Sequence, residues 1–164
     1  MTNTDEILNE YSKQIDNFKK DDGYYEQIST LLTTHLYIEY FINYLIENHF
    51  LLKKKILSDN RSYTFSVKLD LIYEKGFIPE WLYFNIRKLN KIRNEFSHNL
   101  HFDVLSTDLT FKTDDDGGEI ETIDLSKQFS KSTGDDSKRN MLIIMHIPTL
   151  TLIILAGYIK RSRI

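Results

Sequence analysis

The sequence predicts an all-α fold, a helical bundle of about five helices with an acidic loop or small β-hairpin inserted before the last one. Three observations carry this. Long stretches place apolar residues three and four apart, the spacing of one helix face. Glycine and proline number only 6 and 2 in 164 residues, too few for a turn-dense sandwich. Charge is split along the chain: residues 103–137 carry ten acids against three bases, net −7, and the remainder is net +4. The acidic stretch also holds half of the glycines, so it reads as an insertion on a mildly basic helical body.

In order, Thr4 is placed to cap a first helix bearing Ile7, Leu8, Tyr11, Ile15 and Phe18, with Gly23 as its stop. A second helix is expected from about Tyr25 to Leu52, with Ile28, Leu31, Leu32, Ile38, Ile42, Leu45, Ile46 and Leu52 apolar. Ser62 opens a third, carrying Phe65, Leu69 and Ile72 and closed by Gly76. Pro79 sits where a fourth should begin, and Leu82, Ile86, Leu89, Phe96 and Leu100 mark its face. In the acidic stretch, 109–112 and 119–123 flank an Asp-Gly turn and suggest a hairpin. Residues 141–158 form the last helix, with a bend expected near Pro148.

Length bounds the chain at one domain, 1–164, with the acidic insertion at 103–137 and an apolar C-terminal helix in 138–164. A chain of this size can bury a full core without a metal or disulfide. It has no cysteine, which removes thiol nucleophiles, cysteine zinc sites and iron–sulfur clusters. The N-terminal residues lack the charged and apolar regions of a secretory signal, and a cytoplasmic address is expected. Residues 141–159 carry no formal charge and are followed by Lys160, Arg161 and Arg163, the length and flank of a tail anchor. Within that stretch His146, Pro148, Thr149, Thr151 and Gly157 favour the buried helix of a bundle instead, and no membrane partner is expected. The helix is apolar on several faces, so it is expected to help bury a two-fold interface and make the chain a homodimer.

Two polar sets fall on apolar faces. The second-helix stripe 28, 32, 35, 39, 42, 46, 49 includes His35 and Glu39, one turn apart. Such a pair on a core stripe is costly unless each group finds a partner. On the fourth helix Arg93 lies between Leu89 and Phe96, and its guanidinium calls for a carboxylate, with Glu39 the candidate. A buried structural ion pair that fixes helix register would explain both. Further along the same helix, Asn94 and His98 lie about 40° apart, whereas Arg93 is about 140° from His98. Arg93 and His98 therefore converge only through a distorted helix end or through two copies meeting across a symmetry axis. A zinc reading of His98 and His101 lacks a third ligand, and the run Asp114, Asp115, Asp116, Gly117, Gly118, Glu119 lacks the alternating oxygens of a calcium loop. No phosphate-binding glycine loop is present, and neither cofactor nor metal is expected.

At Arg93–His98, reading R-N-E-F-S-H, the chain resembles the HEPN superfamily, whose motif is Arg, four to six residues, then His, often with Asn after the Arg. The run FSVKLDLIYEKGFIPEWLYFNIRKLNKIRNEFSHNL and the earlier THLYIEYFINYLIENHF resemble its MltR-like (mannitol-repressor-like) branch of small bacterial proteins. His35 and Glu39 stand where that pattern puts its polar pair, and the resemblance covers about 30–105. It implies a dimeric helical bundle in which Arg and His of both copies line an interface cleft and cleave RNA without metal. Carried over, Arg93 would bind the scissile phosphate and stabilise its developing charge. His98 would transfer a proton at the ribose 2′-OH or the leaving oxygen, since imidazole titrates near neutrality. Asn94 would position the phosphate or the imidazole. Products would carry a 2′,3′-cyclic phosphate and a 5′-hydroxyl. Two residues after the His, where one toxin subgroup carries a modifiable Tyr, this chain has Leu100. MltR-like members are regulators, so the resemblance also implies an alternative, a non-catalytic protein working through a protein partner. Arg87, Lys88, Lys91 and Arg93 against Glu95 make 82–102 net +3, and Lys53, Lys54, Lys55 and Arg61 add a basic turn, both suited to a phosphate backbone.

Overall fold

The architecture is that of a computed structural model, which describes residues 4–18, 23–98, 110–115, 119–124, 127, 151–157 and 159–160; at 14–18, 23–28, 113–115 and 119–120 only the backbone is described. The fold is mostly helical with one small antiparallel sheet. The helices are α1 (Thr4–Phe18), α2 (Gly23–His49), α3 (Lys53–Ser58), α4 (Phe65–Glu74) and α5 (Glu80–His98), followed by strands β1 (Thr110–Asp115) and β2 (Glu119–Asp124). Residues 151–157 and 159–160 are again helical.

α2 is the hub and touches α1, α3, α4 and α5. At 27 residues it spans about 40 Å. Its buried stripe runs through Leu31, Thr34, Ile38, Phe41, Ile42, Leu45 and Ile46. That stripe is rotated by about a quarter-turn from the expected one, at 100° per residue. His35 is buried, as its place on the expected stripe requires, whereas Glu39 is half-buried at the edge of the core and His49 is exposed at the helix end. Against this stripe pack Ile7 and Tyr11 of α1, Leu69 and Ile72 of α4, and Leu82, Ile86 and Leu89 of α5. Tyr11 and Thr34 share a buried 2.9 Å hydrogen bond, and the Thr34 hydroxyl donates back to the Thr30 carbonyl at 2.8 Å, so the Tyr11 hydroxyl supplies the proton between the two side chains.

Helix boundaries follow local chemistry, with several departures from expectation. Thr4 opens α1 but its buried hydroxyl has no hydrogen-bond partner, so it does not act as a cap. Gly23 begins α2. α2 stops at His49, three residues early, and the lysine run starts a separate short helix, α3, held down by buried Ile56. Thr64, not Ser62, caps α4 by accepting the Val67 amide. Gly76 ends that helix with φ 71°, its amide donating to the Tyr73 carbonyl at 2.8 Å and the Phe77 amide to the Ile72 carbonyl at 3.1 Å. This is the paired closure that a left-handed glycine allows.

The hairpin forms where expected, with β1 extending to Asp115 and pairing Thr110 with Asp124 through to Asp115 with Glu119. It docks on α5 by its β1 edge. Asn85, buried on the α5 face, donates to the Lys112 carbonyl at 2.6 Å and accepts the Lys112 amide at 3.0 Å. One turn on, Lys88 donates to the Thr110 carbonyl and, at 3.1 Å, to the Thr110 hydroxyl. Phe111 is buried beneath, with the Lys88 ammonium 5.3 Å from its ring.

Of the last helix, Thr151, Leu152, Leu155, Ala156 and Ile159 are buried within a single chain and Ile153 is exposed. Lys160 pairs with Asp5 in the first turn of α1. These positions of the helix are thus buried by the chain itself. The 141–150 half, with His146 and the bend expected at Pro148, lies outside the described residues. Among the described residues no helix is long and apolar enough to cross a membrane.

Candidate functional site

The site is built on α5, a continuous helix through Arg93, Asn94 and His98. Its apolar face, Leu82, Ile86, Leu89 and Ile92, is buried, whereas Arg87, Lys91 and His98 are exposed. Arg93 stands at the border of the buried face.

The ion pair expected between Arg93 and Glu39 is not formed. Arg93 Nη1 donates instead to Asn94 Oδ1 at 2.9 Å, and Arg93 Nε is buried with no hydrogen-bond partner. Glu39 is half-buried on α2 and pairs with no cation among the described residues. Its charge and that of Arg93 are both felt by His35, with opposite signs. Among the described residues the guanidinium has no carboxylate partner, and its planar fork is held by a neutral amide. Asn94 is the link between faces: bonded to Arg93, it lies about 40° around the helix from His98. His98 is the last residue of α5 and is exposed, with no hydrogen bond among the described residues. Arg93 and His98 remain about 140° apart, as expected of an undistorted helix. Leu100 and His101 lie outside the described residues.

His35 is buried, 8% exposed, and its ring packs against Phe65 of α4, centroids 4.4 Å apart and planes tilted by 33°. Its Nε2–H donates to Asn90 Oδ1 at 2.9 Å, and Asn90 Nδ2 reaches the Ser66 hydroxyl at 3.4 Å. A polar relay thus crosses α2, α5 and α4. Burial pushes the His35 pKa below its ordinary value and the Arg93 charge adds to this, against the Asn90 hydrogen bond and the Glu39 carboxylate, which raise it. Beside the ring is a small recess with room for about one water, lined by Leu31, Thr34, Ile38, Phe65, Ile86 and Leu89.

Asn90, Ser66 and Asn85 escaped the sequence reading. Asn85 and Asn90 carried one legible signal, carboxamides on and beside the buried face of a strongly amphipathic helix. Partners for them could not be read, because those come from other elements. Among the described residues no cluster of three or more His, Asp or Glu side chains is placed to hold a metal ion. Compared with known proteins, the chain matches no protein-family model, no curated protein and no solved structure.

Proposed function

We propose that this chain is a HEPN-type endoribonuclease, metal-independent and cytoplasmic, that acts as a homodimer. The observation that carries the reading is the Arg93–Asn94 pair: a guanidinium with no carboxylate partner among the described residues, held by an amide one step around the helix from an exposed His98. Such an arrangement suits a phosphate whose charge grows in the transition state. Arg93 receives the non-bridging oxygens, and Asn94 keeps the fork and the phosphate in register. His98 transfers a proton at the ribose 2′-OH as it attacks phosphorus, or at the 5′-oxygen as it leaves, giving a 2′,3′-cyclic phosphate and a 5′-hydroxyl. Because one helix separates Arg93 from His98, the second copy completes the cleft. His35 and Glu39 support the site from α2 by setting the field around Arg93.

The exposure of His98, without a hydrogen bond among the described residues to orient it, favours a second reading: a non-catalytic MltR-like regulator that uses this face for a protein partner. One assay separates the two. The ribonuclease cleaves single-stranded RNA in EDTA and spares DNA, which lacks the 2′-OH. His98→Ala lowers the rate by ~10²–10⁴-fold. Arg93→Lys also fails, since a point charge does not reproduce a planar fork. Absence of cleavage across several RNAs, or undiminished cleavage by His98→Ala, overturns the enzyme reading in favour of the regulator.

A further inference from the structure

The turn between α2 and α3 shows a combination that neither folding nor the α5 site uses. Leu51 is 102% exposed, the most exposed of the large apolar side chains among the described residues, and its neighbour Leu52 is 64% exposed. Lys53, Lys54 and Lys55 follow at once, all exposed, and Arg61 is exposed nearby. The backbone beneath them is fixed: the Phe50 amide donates to the Ile46 carbonyl and the Ile56 amide to the Leu52 carbonyl, both at 3.1 Å. Phe50 lies 6.2 Å from Phe77, and Ile56 is buried, so the tip is clamped on both sides. Lys53 Nζ donates to the Glu47 carbonyl at 2.9 Å. The neighbouring carboxylate of Asp59 accepts the Ser62 amide at 3.0 Å and forms no ion pair with the lysines. Leucine is a poor residue for the N-cap it occupies in α3, where no side-chain hydrogen bond is made, and three lysines add positive charge to the positive end of that helix. Local stability thus works against this sequence.

We propose that Leu51, Leu52, Lys53, Lys54 and Lys55 form a docking tip for an anionic lipid surface. The two leucines enter the boundary between headgroups and acyl chains, and the lysines lie along the phosphate layer. Charge complementarity selects the surface: a cationic cluster next to water-exposed leucine is the pairing that holds a peripheral protein to acidic lipid, each signal being weak alone. A nucleic-acid backbone would engage the lysines but has no use for two projecting leucines. The tip contains no residue of the proposed RNA site and does not depend on it.

The chain has no cysteine, so Leu51→Cys can carry the sole environment-sensitive fluorophore. The full-length protein is mixed with vesicles of phosphatidylcholine alone or with about a third phosphatidylglycerol. Binding and a blue shift of the label are expected with the anionic vesicles only, weakening as salt is raised. Replacing the three lysines by serine weakens partition on the order of 100-fold, about fivefold per lysine. The double variant Leu51→Ser, Leu52→Ser weakens it by roughly tenfold or more while melting no lower than the wild type, because Leu51 is fully and Leu52 mostly in water and serine is the better N-cap for α3. The proposal is overturned if wild-type protein ignores anionic vesicles. It is equally overturned if the leucine variant binds them undiminished, or if that variant instead splits a dimer, which would assign the tip to a second copy. Loss of RNA binding in the lysine variant together with indifference of the wild type to vesicles assigns the basic turn to nucleic acid.

Discussion

His35 joins three helices through a neutral ring, and its depressed pKa makes that junction sensitive to acid. The folded pKa lies below the ordinary 6.5, so the unfolded chain takes up the proton first. Stability contributed here is complete above pH 6.5 and is lost as pH falls from 6.5 toward the depressed folded value. Urea melts across that window should show a steeper loss for the wild type than for His35→Gln, which removes the titration and keeps a donor for Asn90. Parallel pH slopes would contradict the assignment. Glu39 behaves differently from its first reading. A buried Glu39–Arg93 pair would make Glu39→Ala cost about 3–5 kcal/mol. With no such contact, thermal melts of Glu39→Ala should show a loss under about 1 kcal/mol near neutral pH, the range of a loosely partnered charge at a boundary. The residues of this cluster were legible because polar groups interrupt two apolar stripes. Their pairing was not, since charge alone nominated the carboxylate, whereas helix geometry gave the guanidinium the amide beside it.

At the level of elements, glycines, prolines and apolar spacing located the helices to within a few residues. The lysine run was the exception, because the second helix kept its apolar spacing through Leu52 while the chain turned after His49. The hairpin was legible from its turn and alternation, but its seat was not. Asn85 supplies a donor and an acceptor to Lys112 just as the peptide of an adjacent strand would. Asn85→Ala leaves both backbone groups of Lys112 without that partner, at a cost of about 1–3 kcal/mol where they stay buried. Hydrogen exchange should show the Lys112 amide speeding markedly while the amides of α2 keep their protection. Uniform acceleration across the chain would mean that the hairpin is integral to the core.

Across the whole molecule, α2 gathers α1, α3, α4 and α5, so these helices are organised around a single long element. The quarter-turn error in its predicted stripe arose because α2 is apolar on more than one side. Thr30, Thr34 and Phe41 enter the core in place of Leu32 and Glu39. Thr34 is tolerated there by its bonds to Tyr11 and Thr30, partners that periodicity does not supply. The proposed homodimer rests on the separation of Arg93 from His98 on one continuous helix. Light scattering at micromolar concentration should return twice the chain mass. A monomer that nonetheless cleaves RNA would show that one chain brings Arg93 and His98 together by bending α5.

The Asn85 amide has a consequence for how this chain could have been assembled. A strand normally needs another strand beside it, so adding β-structure to a helical protein usually means adding several matched segments together. Here a helix presents one carboxamide that completes a strand edge, and a lone hairpin is accommodated on a body that contains no other described sheet. The acidic arm is thus fastened to the helical body by one carboxamide edge and one buried ring, Phe111, so a helix face does for this hairpin what a neighbouring strand does in a sheet.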